Sequence, residues 1–422
     1  MTDGQDIKAR VHALGARAKQ GATRMALLST DDKNRMLMKM ASALRADMDI
    51  IIAKNAPDVE AAKAKGKTPA LVDRLTLTPA RVEGMAKGLE KLVALKDPVG
   101  EIIGGWKGAQ GIDITKVRVP IGVIGMIYEA RPDVTADAAG ICFKTGNAVI
   151  LRGSGDAKES NMAVIGALRR AVREEGGPEN ALLLMEDTSR EAALEFMRMN
   201  QYMDVLIPRG GAELIQAAVM EATVPVIETG IGNCHVYVDA SADQRMALDI
   251  LINAKTQRPS VCNAAESLLV HRDIAAEFLP KAGKALQELG VELRACPDSM
   301  GYLAGAKPAT EEDFRAEFLD LIISVKTVGG LDEAIDHINA YGTKHTEAII
   351  TRDYDAARRF TERIDAAAIM VNASTRFTDG GMFGFGAEMG ISTQKLHARG
   401  PMGLEEMTTI KYIVQGKGQV RL

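Results

Sequence analysis

Cys262 closes the run Lys255-Thr256-Gln257-Arg258-Pro259-Ser260-Val261 and is followed by Asn263. Basic and polar side chains and a proline corner lead into this single thiol. The apolar run Ser267-Leu268-Leu269-Val270 just beyond it reads as a buried strand. A cysteine on a turn between a helix and a core strand has its backbone N–H free to face a bound carbonyl. Lys255 and Arg258 nearby favour the thiolate, which is the nucleophilic form. The pattern suits attack on an acyl group. Cysteine is also among the residue types most often buried, so a structural thiol is the competing reading.

Other segments carry polar residues at places where a sheet would present them. The apolar run Val149-Ile150-Leu151 ends in Arg152-Gly153-Ser154, with Lys158 near the start of the next helix. In nucleotide-binding sheets the ligand sits at the carboxyl ends of strands, where an acidic residue holds the ribose 2′-hydroxyl of NAD. A cation in that place suits a 2′-phosphate and points to NADP, the alternative being a solvated arginine. Ile207-Pro208-Arg209-Gly210-Gly211 reads as a strand, a tight turn and a helix start, a geometry that offers backbone N–H groups to a phosphate. A plain turn fits it equally, because the GxGxxG fingerprint is absent.

Glu228 stands in Val226-Ile227-Glu228-Thr229-Gly230-Ile231-Gly232-Asn233-Cys234-His235, where a carboxylate and two glycines could line a site. Cys234 and His235 are adjacent, so in a strand they face opposite ways and form no nucleophile pair. His345 and Glu347 precede the strand Ala348-Ile349-Ile350. Asn372, Ser374 and Arg376 follow Ile369-Met370-Val371 and lead into the glycine-rich stretch Asp379–Gly386. Polar residues at strand ends followed by a loop are what a polar small-molecule site needs.

The elements that must position these residues are legible in outline. The first hundred residues read as helices, with a cap at Thr30-Asp31-Asp32, an apolar stripe through Met36, Met40 and Leu44, and Pro57 as punctuation. From Val117 onward, apolar strands alternate with amphipathic helices, the pattern of a doubly wound parallel sheet. The alternation resumes after Pro225, so a second α/β domain is expected with its boundary near Asp239. The expected divisions are a cofactor-binding domain over 1–238, interrupted near 110–120, a catalytic domain over 239–395 and a C-terminal return over 396–422. Thr408–Val414 reads as a late strand, of a kind that pairs outside its own domain.

Composition narrows the function classes. A chain of 422 residues predicts roughly two to three domains. A net charge of −4 offers no general attraction to nucleic acid or anionic membranes, and aromatic residues at 4% argue against base-stacking platforms. No apolar run approaches the ~20 residues of a membrane span, and no signal peptide opens the chain. The four cysteines and six histidines are dispersed, without the spacing of a metal site or a disulfide framework. This fits a reducing cytoplasm.

Tyr128-Glu129-Ala130-Arg131-Pro132, Leu151-Arg152-Gly153-Ser154, Ile207-Pro208-Arg209-Gly210-Gly211, Lys255 to Asn263 and His345-Thr346-Glu347 together resemble the aldehyde dehydrogenase superfamily. The resemblance covers nearly the whole chain. It is most similar to the branch that reduces the acyl phosphate L-glutamyl 5-phosphate in proline biosynthesis. The resemblance implies an α/β fold of two parallel-sheet domains with a cleft between them. It also implies a small oligomerisation flap, built here from Ile112–Val119 and Thr408–Val414, and hence a homo-oligomer. It makes Cys262 the nucleophile, NADPH the reductant and glutamate 5-kinase the functional partner that supplies the substrate. Arg152, Lys158, Arg209, Gly210 and Gly211 would then serve the cofactor, and Glu317 matches the glutamate that holds its nicotinamide ribose.

Lys255, Arg258, Asn263, Arg131, His345, Asn372, Ser374 and Arg376 become the substrate candidates. Oxidising relatives carry an asparagine in the segment matching Tyr128–Pro132 to complete the oxyanion hole, where this chain has Ala130 and Arg131. Glu228 matches the glutamate that activates water in those relatives. A hydrolytic aldehyde dehydrogenase using Glu228 and water is therefore the alternative enzyme, and an unreactive scaffold on the same fold the non-enzymatic one.

Overall fold

The computed structural model describes residues 3–421. These divide into two compact units. The first takes in the chain up to Glu228, with Phe385–Gly390 and the chain from Met402 onward. The second is Thr229–Gly384 with Ile391–Pro401.

The first unit opens with helices α1 (Asp3–Met25), α2 (Thr30–Ala46), α3 (Met48–Ala64), α4 (Pro69–Leu75) and α5 (Pro79–Ala94). Side-chain hydroxyls start three of them. Ser29, Thr68 and Thr78 accept the N–H groups of Asp32, Leu71 and Arg81, satisfying donors that a helix start leaves open. The cap of α2 is thus Ser29, one residue before the expected Thr30. Met36, Met40 and Leu44 are buried as their spacing predicts. Pro57 does not end a helix; α3 continues through it.

A three-stranded antiparallel flap joins β1 (Ile102–Lys107), β2 (Asp113–Pro120) and the C-terminal strand Thr408–Gln415, with β2 in the middle. The pairing of Thr408 with Pro120 and of Gln415 with Asp113 realises the expected combination of these two distant segments. The flap exposes Trp106, Ile410, Tyr412, Ile413 and Val414.

Strands β3 (Val123–Tyr128), β4 (Ala148–Arg152), β5 (Leu182–Leu184) and β6 (Val205–Arg209) form a parallel sheet in the order β5-β4-β3-β6. Helices α6 (Pro132–Lys144), α7 (Lys158–Glu174) and α8 (Arg190–Met197) connect them, and α9 (Ala212–Glu221) follows β6. β3 is buried along its whole length, as is Ala148–Leu151 of β4, because both faces of a wound sheet are covered. Each fully buried Val, Ile or Leu there contributes about 1.5–3 kcal/mol. Chain direction across the sheet reverses between β3 and β6. Their carboxyl ends are therefore the topological switch point at which such sheets bind ligands.

The second unit holds a seven-stranded sheet of β7 (Cys234–Val238), β8 (Ala265–His271), β9 (Glu292–Ala295), β10 (Lys307–Pro308), β11 (Ile322–Val328), β12 (Thr346–Ile350) and β13 (Ala368–Val371). The order is β10-β9-β11-β8-β7-β12-β13, with every pairing parallel. Its helices include α10 (Gln244–Thr256), between β7 and β8. One apolar core contains Val236, Leu251, Leu268, Leu279 and Val325, and another contains Tyr237, Leu269, Ile335 and Phe360. The division between units falls at Glu228 and Thr229, earlier than the boundary expected near Asp239. The reason is β7, which pairs with β8 and β12 and so belongs to the second sheet.

Candidate active site

Cys262 lies half-buried in the connection from α10 to β8. Two residues close the ends of that connection. Lys255 in the last turn of α10 and Glu266 in β8 are both fully buried, with Nζ 2.5 Å from Oε2. Burial pushes the Glu266 carboxyl up to about 7, while the Lys255 ammonium draws it back down. Burial likewise lowers the Lys255 pKa against the pull of Glu266. Glu266 Oε1 also accepts the Leu319 N–H at 3.1 Å, tying the loop that carries Glu317 to the same anchor.

The backbone of Cys262 is seated against a glycine. A Cβ on Gly232 would lie 1.4 Å from the Cys262 carbonyl oxygen, so no larger residue fits without moving the loop. The Gly232 N–H donates to Glu317 Oε1 at 2.6 Å. Burial raises the Glu317 pKa, and this N–H works against that rise.

A second set of bonds runs beneath the loop. The Cys234 thiol donates to the Cys262 carbonyl at 3.2 Å. Burial holds the Cys234 thiol far above its ordinary pKa, so it stays a protonated donor. Its sulfur is 3.8 Å from His345 Nδ1, which is 2.8 Å from the Thr346 hydroxyl. Thr346 donates to Thr378 Oγ1 at 2.9 Å. Asn263 Nδ2 donates to the carbonyls of Thr378 at 2.8 Å and Arg376 at 3.4 Å.

Two guanidinium groups accompany the thiol. Arg258 is exposed and makes no ion pair or hydrogen bond among the described residues. Arg376 donates from Nε to Gln257 Oε1 at 2.7 Å. Burial, and then the charge of Arg258, lower the Arg376 pKa, while Asp379 and the Cys262 sulfur act in the opposite sense. A half-buried thiol with a pinned backbone carbonyl and adjacent cations is equipped for attack on an anionic acyl compound.

In the first unit, Arg152 ends β4, and its Nη2 donates to the carbonyls of Thr188 at 2.8 Å and Ser189 at 3.3 Å. Its Nε and the Ser154 hydroxyl are buried without a hydrogen-bond partner. Lys158, the first residue of α7, is exposed and makes no ion pair among the described residues. Arg209 ends β6 and lies 3.8 Å from Glu388. The turn at Gly210 and Gly211 differs from expectation. Glu129 Oε1 accepts the Gly211 N–H at 3.0 Å, and a Cβ on Gly210 would strike the Glu129 side chain at 2.8 Å. A carboxylate of the chain itself occupies the N–H expected to face a phosphate.

Several other expectations need correction. Lys255 is committed to Glu266 in the interior and does not face a substrate anion. Asn372 exchanges bonds of 2.9 Å with the N–H and carbonyl of Thr351, beyond the carboxyl end of β12, whereas His345 precedes its amino end. Six residues of extended chain span ~20 Å, so Asn372 is remote from the Cys262 loop. Ser374 is buried and caps a short turn by accepting the Arg376 N–H at 3.3 Å. Arg131 stands at the start of α6, and Glu228 is the last residue of the first unit's opening segment.

Sequence reasoning placed Gly232 among residues that could line a site but missed Cys234 and Glu266 as members of the frame. Cys234 and His235 do point apart, and each meets its partner across the sheet. Cys234 reaches His345, and His235 Nδ1 is 2.9 Å from Glu347 Oε2. Strand pairing was needed to see either. A glutamate within the apolar run of β8 was the available clue to Glu266, since a buried carboxylate requires a partner.

Residues 4–301 and 309–413 match the model of the aldehyde dehydrogenase family. The chain is 60% identical over 407 residues to a γ-glutamyl phosphate reductase of Heliobacterium modesticaldum, covering 96% of this chain and 98% of that protein. It is 56% identical over 416 residues to one from Moorella thermoacetica, covering 99% and 100%. The crystal structure of γ-glutamyl phosphate reductase from Thermotoga maritima superposes with a TM-score of 0.95 at 48% identity, over 98% of this chain and 100% of that one.

Proposed function

The chain belongs to the aldehyde dehydrogenase family, and from that premise we propose that it reduces L-glutamyl 5-phosphate to L-glutamate 5-semialdehyde in proline biosynthesis. The observation that carries this reading is the half-buried thiol of Cys262, its backbone seated on Gly232 and its flank lined by Arg258 and Arg376. The name borne by relatives at 56–60% identity supports it.

In this reading the Cys262 thiolate attacks the C5 carbonyl of the acyl phosphate. The bond from C5 to the phosphate oxygen breaks, its electron pair leaves with phosphate, and a thioester remains. NADPH, when bound, supplies the hydride that reduces this thioester. The Cys262 N–H faces the oxyanion formed in each step, a contact worth ~3 kcal/mol for such a donor. Collapse of that oxyanion expels the thiolate and frees the semialdehyde. Glu228 takes no base role in this reading, because water would waste the thioester.

The first unit's residues fit a 2′-phosphorylated nucleotide. Arg152 Nε and Ser154 Oγ are buried donors with no partner, at the carboxyl end of β4, and Lys158 opens the following helix. Arg209, Gly210 and Gly211 would hold the rest of the cofactor once Glu129 yields the Gly211 N–H, and Glu317 would hold the ribose once it yields that of Gly232. For the substrate we retain Arg258, Arg376, Arg131 and Asn263. The exposed apolar residues of the flap suit a second copy of the chain, and glutamate 5-kinase supplies the acyl phosphate. Among the described residues no helix is long and apolar enough to cross a membrane, and a cytoplasmic enzyme is the reading we favour.

The test runs the reaction backward. With semialdehyde and NADP, the protein should form NADPH only when phosphate is added, and Cys262→Ala should abolish turnover. Phosphate-independent turnover would mean hydrolysis through Glu228, and activity in the alanine variant would overturn the mechanism.

A further inference from the structure

We propose that Arg258 and Arg376 form the subsite for the phosphoryl group, so that they hold the leaving group and not the α-carboxylate. This inference rests on the acyl-phosphate reading above. The leaving group is bonded to the carbon that Cys262 attacks, whereas the α-carboxylate lies at the far end of the carbon chain. Cations serving the phosphoryl group must therefore be anchored beside the thiol.

Both are. Arg258 lies on the approach from α10 to Cys262, four positions before it. Arg376 is bound to that approach through Gln257, and its carbonyl is bound by Asn263, the residue after Cys262. Arg258 is thus held beside the nucleophile by the chain itself, and Arg376 by its Nε bond to Gln257 on one flank and its backbone carbonyl's bond to Asn263 on the other.

Their charge is also in excess. Arg258 has no ion pair among the described residues, and Asp379 is the carboxylate within electrostatic reach of Arg376. Two like charges held together favour a dianion more than a monoanion. Guanidinium forks match the oxygens of a phosphoryl group, whose developing charge they would stabilise as the C–O bond breaks. Of the other cationic candidates in this unit, Lys255 is consumed by Glu266.

The experiment measures phosphate-dependent NADP reduction in the reverse direction for wild type, Arg258→Gln and Arg376→Gln. Loss of a charge-assisted contact should raise KM for phosphate at least about tenfold, with KM for the semialdehyde changing less than about twofold. Because Arg258 is exposed, Arg258→Gln keeps the test valid should Arg376→Gln fold poorly. A second measurement needs no turnover. Inorganic phosphate should slow iodoacetamide labelling of Cys262 in wild type and lose that protection in Arg258→Gln. An unchanged phosphate KM with protection retained, or an equal rise in both KM values, overturns the phosphoryl subsite. Wild-type turnover without phosphate overturns instead the acyl-phosphate reading on which it rests.

Discussion

The two units place their candidate residues at opposite ends of parallel strands. In the first, Arg152 and Arg209 finish β4 and β6, the usual ligand-binding end of a wound sheet. In the second, Gly232, Cys262 and His345 precede β7, β8 and β12. The polar groups also differ in how they are satisfied. At the end of β4, Arg152 Nε and Ser154 Oγ are buried with no partner, as suits groups that a ligand will satisfy. Around Cys262 the donors are bonded within the frame, Lys255 to Glu266, Gly232 N–H to Glu317 and Asn263 Nδ2 to Thr378, and the buried atoms left open there include the acceptors Asn233 Oδ1 and Asn263 Oδ1. A binding site can leave donors open until its ligand arrives. A nucleophile must be held in place before the substrate binds.

This contrast can be broken at graded points. The largest effect should come from Lys255→Met, which strands the Glu266 carboxylate in the interior. Urea denaturation should show a loss of about 3–5 kcal/mol, and Glu266→Leu added to it should restore much of that loss. Gly232→Ala should leave the fold intact but displace the Cys262 loop. A misplacement of that kind lowers kcat on the order of 100-fold, read in steady-state assays with cofactor KM unchanged.

A pH dependence comes next. His337 packs against Phe314 and Tyr341, whose carbonyls receive the Asn233 amide beside Gly232. Burial, with His235 and Lys326, lowers its pKa to about 3. Its folded pKa is below the unfolded one, so the unfolded chain binds the extra proton and stability falls as pH drops below about 6.5. Between pH 7 and 5 this group should account for about 2 kcal/mol, a slope that His337→Phe removes. The smallest effect is expected in the first unit. Arg152→Gln should raise KM for NADPH about tenfold relative to NADH in steady-state assays.

The sheets were legible because buried parallel strands read as apolar runs between turn residues, as Val123–Tyr128 and Ala148–Leu151 do. Cys262 and its flanking arginine were legible from residue type and spacing. The frame was not. Glu266 and Cys234 gain meaning only through their partners in the fold, and Lys255 read as a cation serving Cys262 and the substrate because its partner lay within an apolar strand. Asn372 misled for a related reason. A strand has two ends, and local sequence does not say which one a neighbouring strand turns into the site. The unit boundary slipped likewise, since β7 is assigned by its pairing with β8 and β12 and not by its composition.

The interrupted path of the first unit bears on how the protein is made. β2 emerges from the ribosome long before Thr408–Gln415, the strand that covers its second edge. Asn147 similarly awaits the carbonyl of Met407 at 2.8 Å. Throughout synthesis of the second unit, β2 is an unprotected edge that can pair with a neighbouring nascent chain. The Ile112–Val119 region should thus be the first segment to need chaperone shielding during translation, and slow closure of this long-range pairing should limit the rate at which assembly-competent protein appears.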